Sequence, residues 1–216
     1  MLEPGIQPNR DVNRGRKVIS ILAIIGFSLF VGIRTILGYP LITTPSFNGQ
    51  IVEPPVAAAD IVMVATNGER VALHDFAGQI TLVYFGYTFC PDVCPATMSV
   101  LSSAMERLTT SQRERVQVVM ITVDPARDTP EKLAGYLAHF DPSFIGMVGT
   151  EAEIAAAAAA FSAIYHKHEG TVATGYLIDH TASVAVIDQQ GQWRLTLPFG
   201  LSRDQVVADI KHLLQE

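Results

Sequence analysis

The sequence predicts a layered, mixed α/β protein behind an N-terminal membrane helix. Three observations predict it. Val18 to Leu37 is an apolar run with Arg34 as its only charge. Thr81 to Phe85 and Val116 to Val123 are short, continuous apolar segments of the kind found in strands covered on both faces. Helical spacing follows the first of these, with Cys94, Met98, Leu101, Met105 and Leu108 on one stripe. Strands alternating with helices imply layers around one sheet.

Residues 1–17 are polar, carry Pro4, Pro8 and a basic cluster, and read as a disordered cytoplasmic tail. Val18 to Leu37 would span roughly 30 Å as a helix, about one hydrocarbon core. Arg34 is close enough to its end to snorkel. The basic residues precede the run, which keeps the N-terminus in the cytoplasm and puts the body outside. A cleaved signal peptide is the rival reading. Gly38-Tyr39-Pro40 makes a poor cleavage site directly after the run, so an uncleaved anchor is preferred. Residues 38–59 contain Pro40, Pro45, Pro54 and Pro55 and read as a linker. The compact domain is expected over 60–216.

Within that domain, Ile61 to Ala65 and Arg70 to Leu73 flank Asn67-Gly68 and predict a hairpin. Gln79 to Phe85 is the first central strand and Cys94 to Leu108 the first long helix. Val116 to Val123 is the second central strand. Pro130 opens a helix to about Phe140, with Thr129 as N-cap. Ile145 to Val148 is a weaker strand. Thr150 caps a helix with Glu151 and Glu153 in its first turn, running through six alanines to about Ile164. Gly175 to Ile178, Ser183 to Ile187 and Gln192 to Leu197 are strands. Ser202 caps a last helix to Leu214.

Charge narrows the function. The formal net charge is −6, yet residues 1–38 hold +3, which leaves −9 on the rest of the chain. An acidic body argues against general nucleic-acid binding. The chain has only two cysteines, Cys90 and Cys94, too close together to staple much structure. They lie where a strand end becomes a helix start, the edge at which α/β sheets form sites. Pro91 and Pro95 suit a turn and a first helical turn. Free N–H groups at a helix start favour thiolate over thiol. A cysteine motif that heads the helix after the first central strand points to a thioredoxin-like fold.

The spacing is C-x-x-x-C rather than the C-x-x-C of simple redox motifs. Residues four apart share a helix face, so two thiolates could chelate one soft ion. Zinc wants four ligands, and no second cysteine pair exists. A Cys, Cys, His set fits copper. Of six histidines, His180 stands apart, at the junction of two apolar segments. His166 and His168 read either as an auxiliary capture site or as a solvated helix end. His74 and His212 lie in no motif.

The segments GYTFCPDVCPATM, ITVDPARDTPEKL and YLIDHTASVAVID, in that order, resemble the Sco/SenC family over roughly Ile61 to Glu216. That family comprises membrane-tethered copper proteins of cytochrome c oxidase assembly. The resemblance implies a thioredoxin-like fold and copper ligands at Cys90, Cys94 and His180. It implies subunit II of the oxidase, at its binuclear copper site, as recipient. Phe89 stands where many relatives have histidine, a position outside the ligand set. Asp124 and Asp128, in the family's Asp-Pro-x-Arg-Asp-Thr-Pro segment, could orient His180, tune the metal or attract a basic partner; otherwise the segment is a helix-capping turn with an Arg–Asp pair.

The leading expectation is a copper chaperone, a binding protein rather than an enzyme, holding copper as Cu(I), Cu(II) or both. Its partners would be subunit II, another copper chaperone or a thiol reductase. The enzymatic alternative is a thiol–disulfide oxidoreductase with Cys90 attacking and Cys94 resolving. A peroxidase is the weakest reading, because Tyr84 stands where the peroxiredoxin motif has proline. No long Arg- and Ser-rich presequence precedes the anchor, so a bacterial inner membrane with a periplasmic domain is expected rather than a mitochondrial one.

Overall fold

The structure is a computed structural model, and it describes residues 22, 24–33, 46–171 and 175–216. The chain divides into two compact units, Met1–Pro45 and Ser46–Glu216. In the first, the described residues are helical and expose Leu22, Ile24, Ile25, Phe27 and Phe30. Among the described residues no helix is long and apolar enough to cross a membrane. The rest of the expected anchor over 18–37, and the tail over 1–17, lie outside the described residues.

The second unit is built on an eight-stranded sheet. Its strands are β1 (Gln50–Ala57), β2 (Val62–Ala65), β3 (Arg70–Ala72), β4 (Ile80–Gly86), β5 (Val116–Thr122), β6 (Ile145–Val148), β9 (Val184–Ile187) and β10 (Gln192–Leu197). The order across the sheet is β1-β10-β9-β4-β5-β6-β2-β3. β4, β5 and β6 run parallel, and the outer pairs are antiparallel. β7 (Tyr165–Glu169) and β8 (Tyr176–His180) form a separate two-stranded hairpin. The helices are α1 (Val93–Met105), α2 (Thr110–Arg113), α3 (Pro130–Ala138), α4 (Glu151–Ala160) and α5 (Arg203–Leu213). A 3-10 turn covers Leu73–Phe76.

The central strands form where the apolar runs predict them. Every residue of β4 is buried, and β5 is buried except at Gln117. Alternation sends β4 side chains to both faces. Tyr84 points toward Cys94 of α1, whereas Phe85 meets Phe161 at the end of α4 with ring centroids 6.1 Å apart. α1 and α4 therefore cover opposite faces of the sheet. All five positions of the α1 stripe, Cys94 to Leu108, are buried. α1 also packs on α5, and α3 on β6. Leu133 comes so close to Gly146 that a Cβ there would lie 2.5 Å from it.

The cap residues act as their chemistry requires. Thr129, Thr150 and Ser202 each accept a bond from the third residue of their helix. α4 stops earlier than expected. Ser162 turns to φ +52° and Ala163 N–H closes back onto Ala158 O at 2.8 Å, ending the helix in a left-handed turn. This corrects the reading of His166 and His168 as a helix end: both lie on β7.

The expected linker over 38–59 is corrected at 50–57, while 38–45 lies outside the described residues. Gln50–Ala57 is a strand, paired with β10 at the sheet edge. Its register breaks between Ile51 and Val56, and Pro54 and Pro55 fall within that break. Prolines cannot donate to a ladder, so an edge strand with an irregularity is the place that tolerates them. The compact unit therefore begins near Ser46, not at Asp60. Asp209 of α5 anchors this start. Its buried carboxyl group accepts Asn48 N–H at 2.8 Å, Asn48 Nδ2 at 2.9 Å and Gly49 N–H at 2.8 Å.

Replacing Asp209 with alanine is expected to cost about 2–4 kcal/mol, since buried donors lose their acceptor. Urea unfolding checks this, and hydrogen exchange should show faster opening of 48–57 before the rest. Unchanged stability would mean that water replaces the carboxylate.

Candidate metal centre

The site sits at the C-terminal ends of β4 and β5. The chain leaves β4 at Gly86, passes Tyr87, Thr88 and Phe89, and reaches Cys90 before α1 begins. Gly86 is required by crowding. A Cβ there would lie 2.7 Å from the Tyr84 ring and 2.9 Å from Cys94 Sγ. Glycine lets the strand end approach the helix start that carries Cys94.

α1 has an unusual N-terminus. Asp92, its N-cap, makes no side-chain cap bond. Instead the Cys94 N–H points to Cys90 Sγ at 3.5 Å, so a sulfur stands where a capping oxygen usually would. Pro95 fits because a first-turn residue has no helical N–H bond to lose.

His180 arrives from another element, at the end of β8. Its Nε2 lies 3.2 Å from Cys94 Sγ. The ligand atoms of Cys90, Cys94 and His180 all lie within 4.8 Å of one another, so these three side chains can hold a metal ion as they stand. Two edge-on rings flank the imidazole: Tyr84 at 5.9 Å and Tyr87 at 5.7 Å between centroids. Cys90 is half-buried and Cys94 fully buried, and both are free thiols. Cys90 and His180 open into a cleft bordered by Pro91, Asp92, His168 and Asp179.

The two thiols differ in acidity. Cys90 is lowered to about 4, chiefly by its hydrogen bond with Cys94, then by His180 and by backbone N–H groups at the helix start, against the opposing effect of burial. Cys94 is pushed up, first by burial and then by the Cys90 interaction. The pair shares one proton, and Cys94 is the side that keeps it. Tyr84 donates its hydroxyl to Cys94 Sγ at 3.6 Å, and burial raises its own pKa.

Two carboxylates hold this arrangement. Asp128 accepts Thr88 N–H at 3.0 Å, Thr88 Oγ1 at 2.5 Å and Thr122 Oγ1 at 2.7 Å, which fixes the loop just before Cys90. Asp124 receives the Tyr176 hydroxyl at 2.6 Å and the Arg127 Nε. Arg127 also donates to Tyr176 O at 3.0 Å and stacks on its ring, so this group ties down the start of β8. Neither carboxylate bonds His180, whose Nδ1 lies 3.2 Å from Thr181 O. The expected Arg–Asp pair is present; orientation of His180 by Asp124 or Asp128 is not.

Sequence reasoning missed Tyr84, Tyr87 and Thr88. Tyr87 is buried and its hydroxyl accepts Ile178 N–H at 3.2 Å, joining the cysteine loop to the strand that bears His180. The available signal was polar-tipped aromatics next to a wholly buried strand, since a buried hydroxyl needs a partner.

The chain is similar to known proteins over most of its length. The SCO1/SenC family profile matches residues 53–215. A SCO2-like protein of Rickettsia felis is 34% identical over 184 residues, covering 82% of this chain and 87% of that protein. This chain belongs to the SCO1/SenC family. Among solved structures, apo Sco1 from Thermus thermophilus superposes with a TM-score of 0.71 at 36% identity, covering 80% of this chain and 99% of that one. ScoI of Bradyrhizobium japonicum with copper bound gives 0.67 at 31% identity, covering 73% and 99%. The mixed sheet flanked by helices is therefore the fold of Sco proteins.

With limiting iodoacetamide at pH 6, Cys90 is expected to label at least about tenfold faster than Cys94, because it is the thiolate and the more exposed sulfur. Mass spectrometry of the digest reads the ratio. Equal labelling would contradict the proton assignment.

Proposed function

We propose that this protein binds copper through Cys90, Cys94 and His180 and serves the assembly of cytochrome c oxidase. The convergence of two sulfurs and one imidazole nitrogen within 4.8 Å carries this reading. Thiolates select Cu(I), imidazole suits copper in either oxidation state, and three ligands satisfy copper where zinc would want a fourth. Copper is the cargo. The half-buried Cys90 and His180 face the cleft, so an acceptor's ligands can reach the ion there. The recipient is subunit II of the oxidase, at its binuclear copper site, and the donor another copper chaperone. The apolar run over 18–37 tethers the protein to a bacterial inner membrane, with the domain from Ser46 onward in the periplasm. Family membership and the apolar run support these assignments.

A second reading is favoured by the lowered pKa of Cys90. The Cys90 thiolate attacks a disulfide of the oxidase copper site, and Cys94 then attacks the mixed disulfide. The partner leaves as a dithiol, and this chain keeps a Cys90–Cys94 disulfide. This exchange needs both cysteines but not His180, and a thiol reductase would restore the dithiol.

Anaerobic Cu(I) titration against a competing chelator separates the two. One copper per chain is expected, and His180→Ala should weaken it at least about a hundredfold, as much as the largest loss on removing a group that only orients a ligand. Affinity indifferent to His180 would leave disulfide exchange as the function.

Acidity adds a pH dependence. Between the lowered pKa of Cys90 and the raised pKa of Cys94, copper displaces one proton, that of Cys94. Apparent Cu(I) affinity should then rise about tenfold per pH unit from pH 6 to 8. A rise of about a hundredfold per unit would mean that both cysteines start as thiols.

A further inference from the structure

The hairpin that carries His180 has a second face. In the β7–β8 pairing, Tyr165 stands opposite His180, His166 opposite Asp179, and His168 opposite Leu177. Directly opposed residues share a face, and successive residues alternate. His166, His168 and Asp179 therefore occupy one face and His180 the other.

The distances on that face suit an ion. His168 Nε2 and Asp179 Oδ1 lie 3.0 Å apart. A nitrogen and an oxygen bound to one ion at about 2.0–2.2 Å, with right to tetrahedral angles, lie roughly 2.9–3.4 Å apart. The present separation is already one edge of such a polyhedron. His166 is exposed, and directly opposed Cβ atoms lie about 4.5–5.5 Å apart, so a rotamer change alone brings its ring to the carboxylate. Lys167, between the two histidines in sequence, alternates to the other face, where its ammonium rests 3.7 Å from the Tyr176 ring centroid. A plain surface ion pair would need only His168 and Asp179; a second imidazole two residues away is what a cation site adds.

We propose that His166, His168 and Asp179 form a second cation site, for a divalent ion that prefers imidazole, with Cu(II) as the probe. The site goes beyond the Cu(I) reading above. It shares no ligand with Cys90, Cys94 and His180, and its donors are nitrogen and oxygen rather than sulfur. His168 and Asp179 also border the cleft onto which Cys90 and His180 open, so it lies at the lip of the first site.

The test uses the full chain in detergent with Cys90→Ser, Cys94→Ser and His180→Ala, which removes the first site. Cu(II) titration followed by electron paramagnetic resonance should find one equivalent with hyperfine coupling to two nitrogens. Adding His166→Gln and His168→Gln should weaken it at least about tenfold. No bound equivalent, or one indifferent to the added pair, overturns the proposal. Because the first three substitutions could disturb folding, the wild-type chain loaded with one Cu(I) gives an independent check. Substoichiometric Cu(II) should broaden the imidazole resonances of His166 and His168, and their sparing overturns the proposal. In the otherwise wild-type chain, His166→Gln with His168→Gln should leave Cu(I) affinity within about twofold, whereas a tenfold fall or more would merge this face with the first site and overturn its independence. Failure of the Cu(I) reading would instead show as Cu(I) binding indifferent to Cys90→Ser, which leaves the hairpin result untouched.

Discussion

A carboxyl group with no exposed surface, that of Asp128, holds the cysteine loop in place. Burying such a group is costly unless its oxygens are hydrogen-bonded. Here three donors meet it: the N–H and hydroxyl of Thr88 and the hydroxyl of Thr122. Thr122 ends β5, and Thr88 stands two residues before Cys90. The loop cannot shift without stranding the carboxyl group. Four residues earlier, Asp124 does the same for the other half of the site, through Tyr176 and Arg127 at the start of β8. One turn after β5 thus positions two elements that are far apart in sequence.

This works because β4 and β5 are parallel and in step. Gly86 and Thr122 are register partners, so both strands deliver their loops at one level of the sheet. The loop after β4 then meets the turn after β5 directly. Gly86 removes the one side chain that would hold Cys94 away, and α1 starts with its Cys94 N–H aimed at the Cys90 sulfur. Tyr87 completes the assembly by accepting Ile178 N–H from β8. Three backbone elements converge on one small volume, each fixed by a different hydrogen bond.

Much of this was legible in the sequence where a single local signal decides the outcome. Continuous apolar runs gave β4 and β5, and Thr129, Thr150 and Ser202 marked their helices by cap chemistry. The cysteine pair and His180 stood out by context. What stayed hidden depends on distant partners. β1 reads as a proline-rich linker because its pairing is specified by β10, some 140 residues away. β7 reads as the tail of a helix because the alanine run gives no stop signal, and the stop is a left-handed serine. The roles of Asp124 and Asp128 depended on which side chains the fold would bring to them, and Thr88 and Tyr176 lie roughly 40 to 50 residues away.

The acidity of the pair follows from the same geometry and bears on the proposed function. Cys94 is enclosed by Gly86, Tyr84 and the sheet, so charge there is disfavoured until a cation arrives to balance it. Cys90 lies at the open side, against helix N–H groups, where charge is favoured without a cation. On the proposed function, an incoming Cu(I) would meet a thiolate first, and the second thiolate would form only as the ion settles, with release of a proton. Removal would run in reverse. An acceptor drawing the ion toward the cleft would return Cys94 to its neutral form, which its buried environment prefers. The enclosed cysteine would thus limit how tightly the ion is held, as the proposed transfer to an acceptor requires.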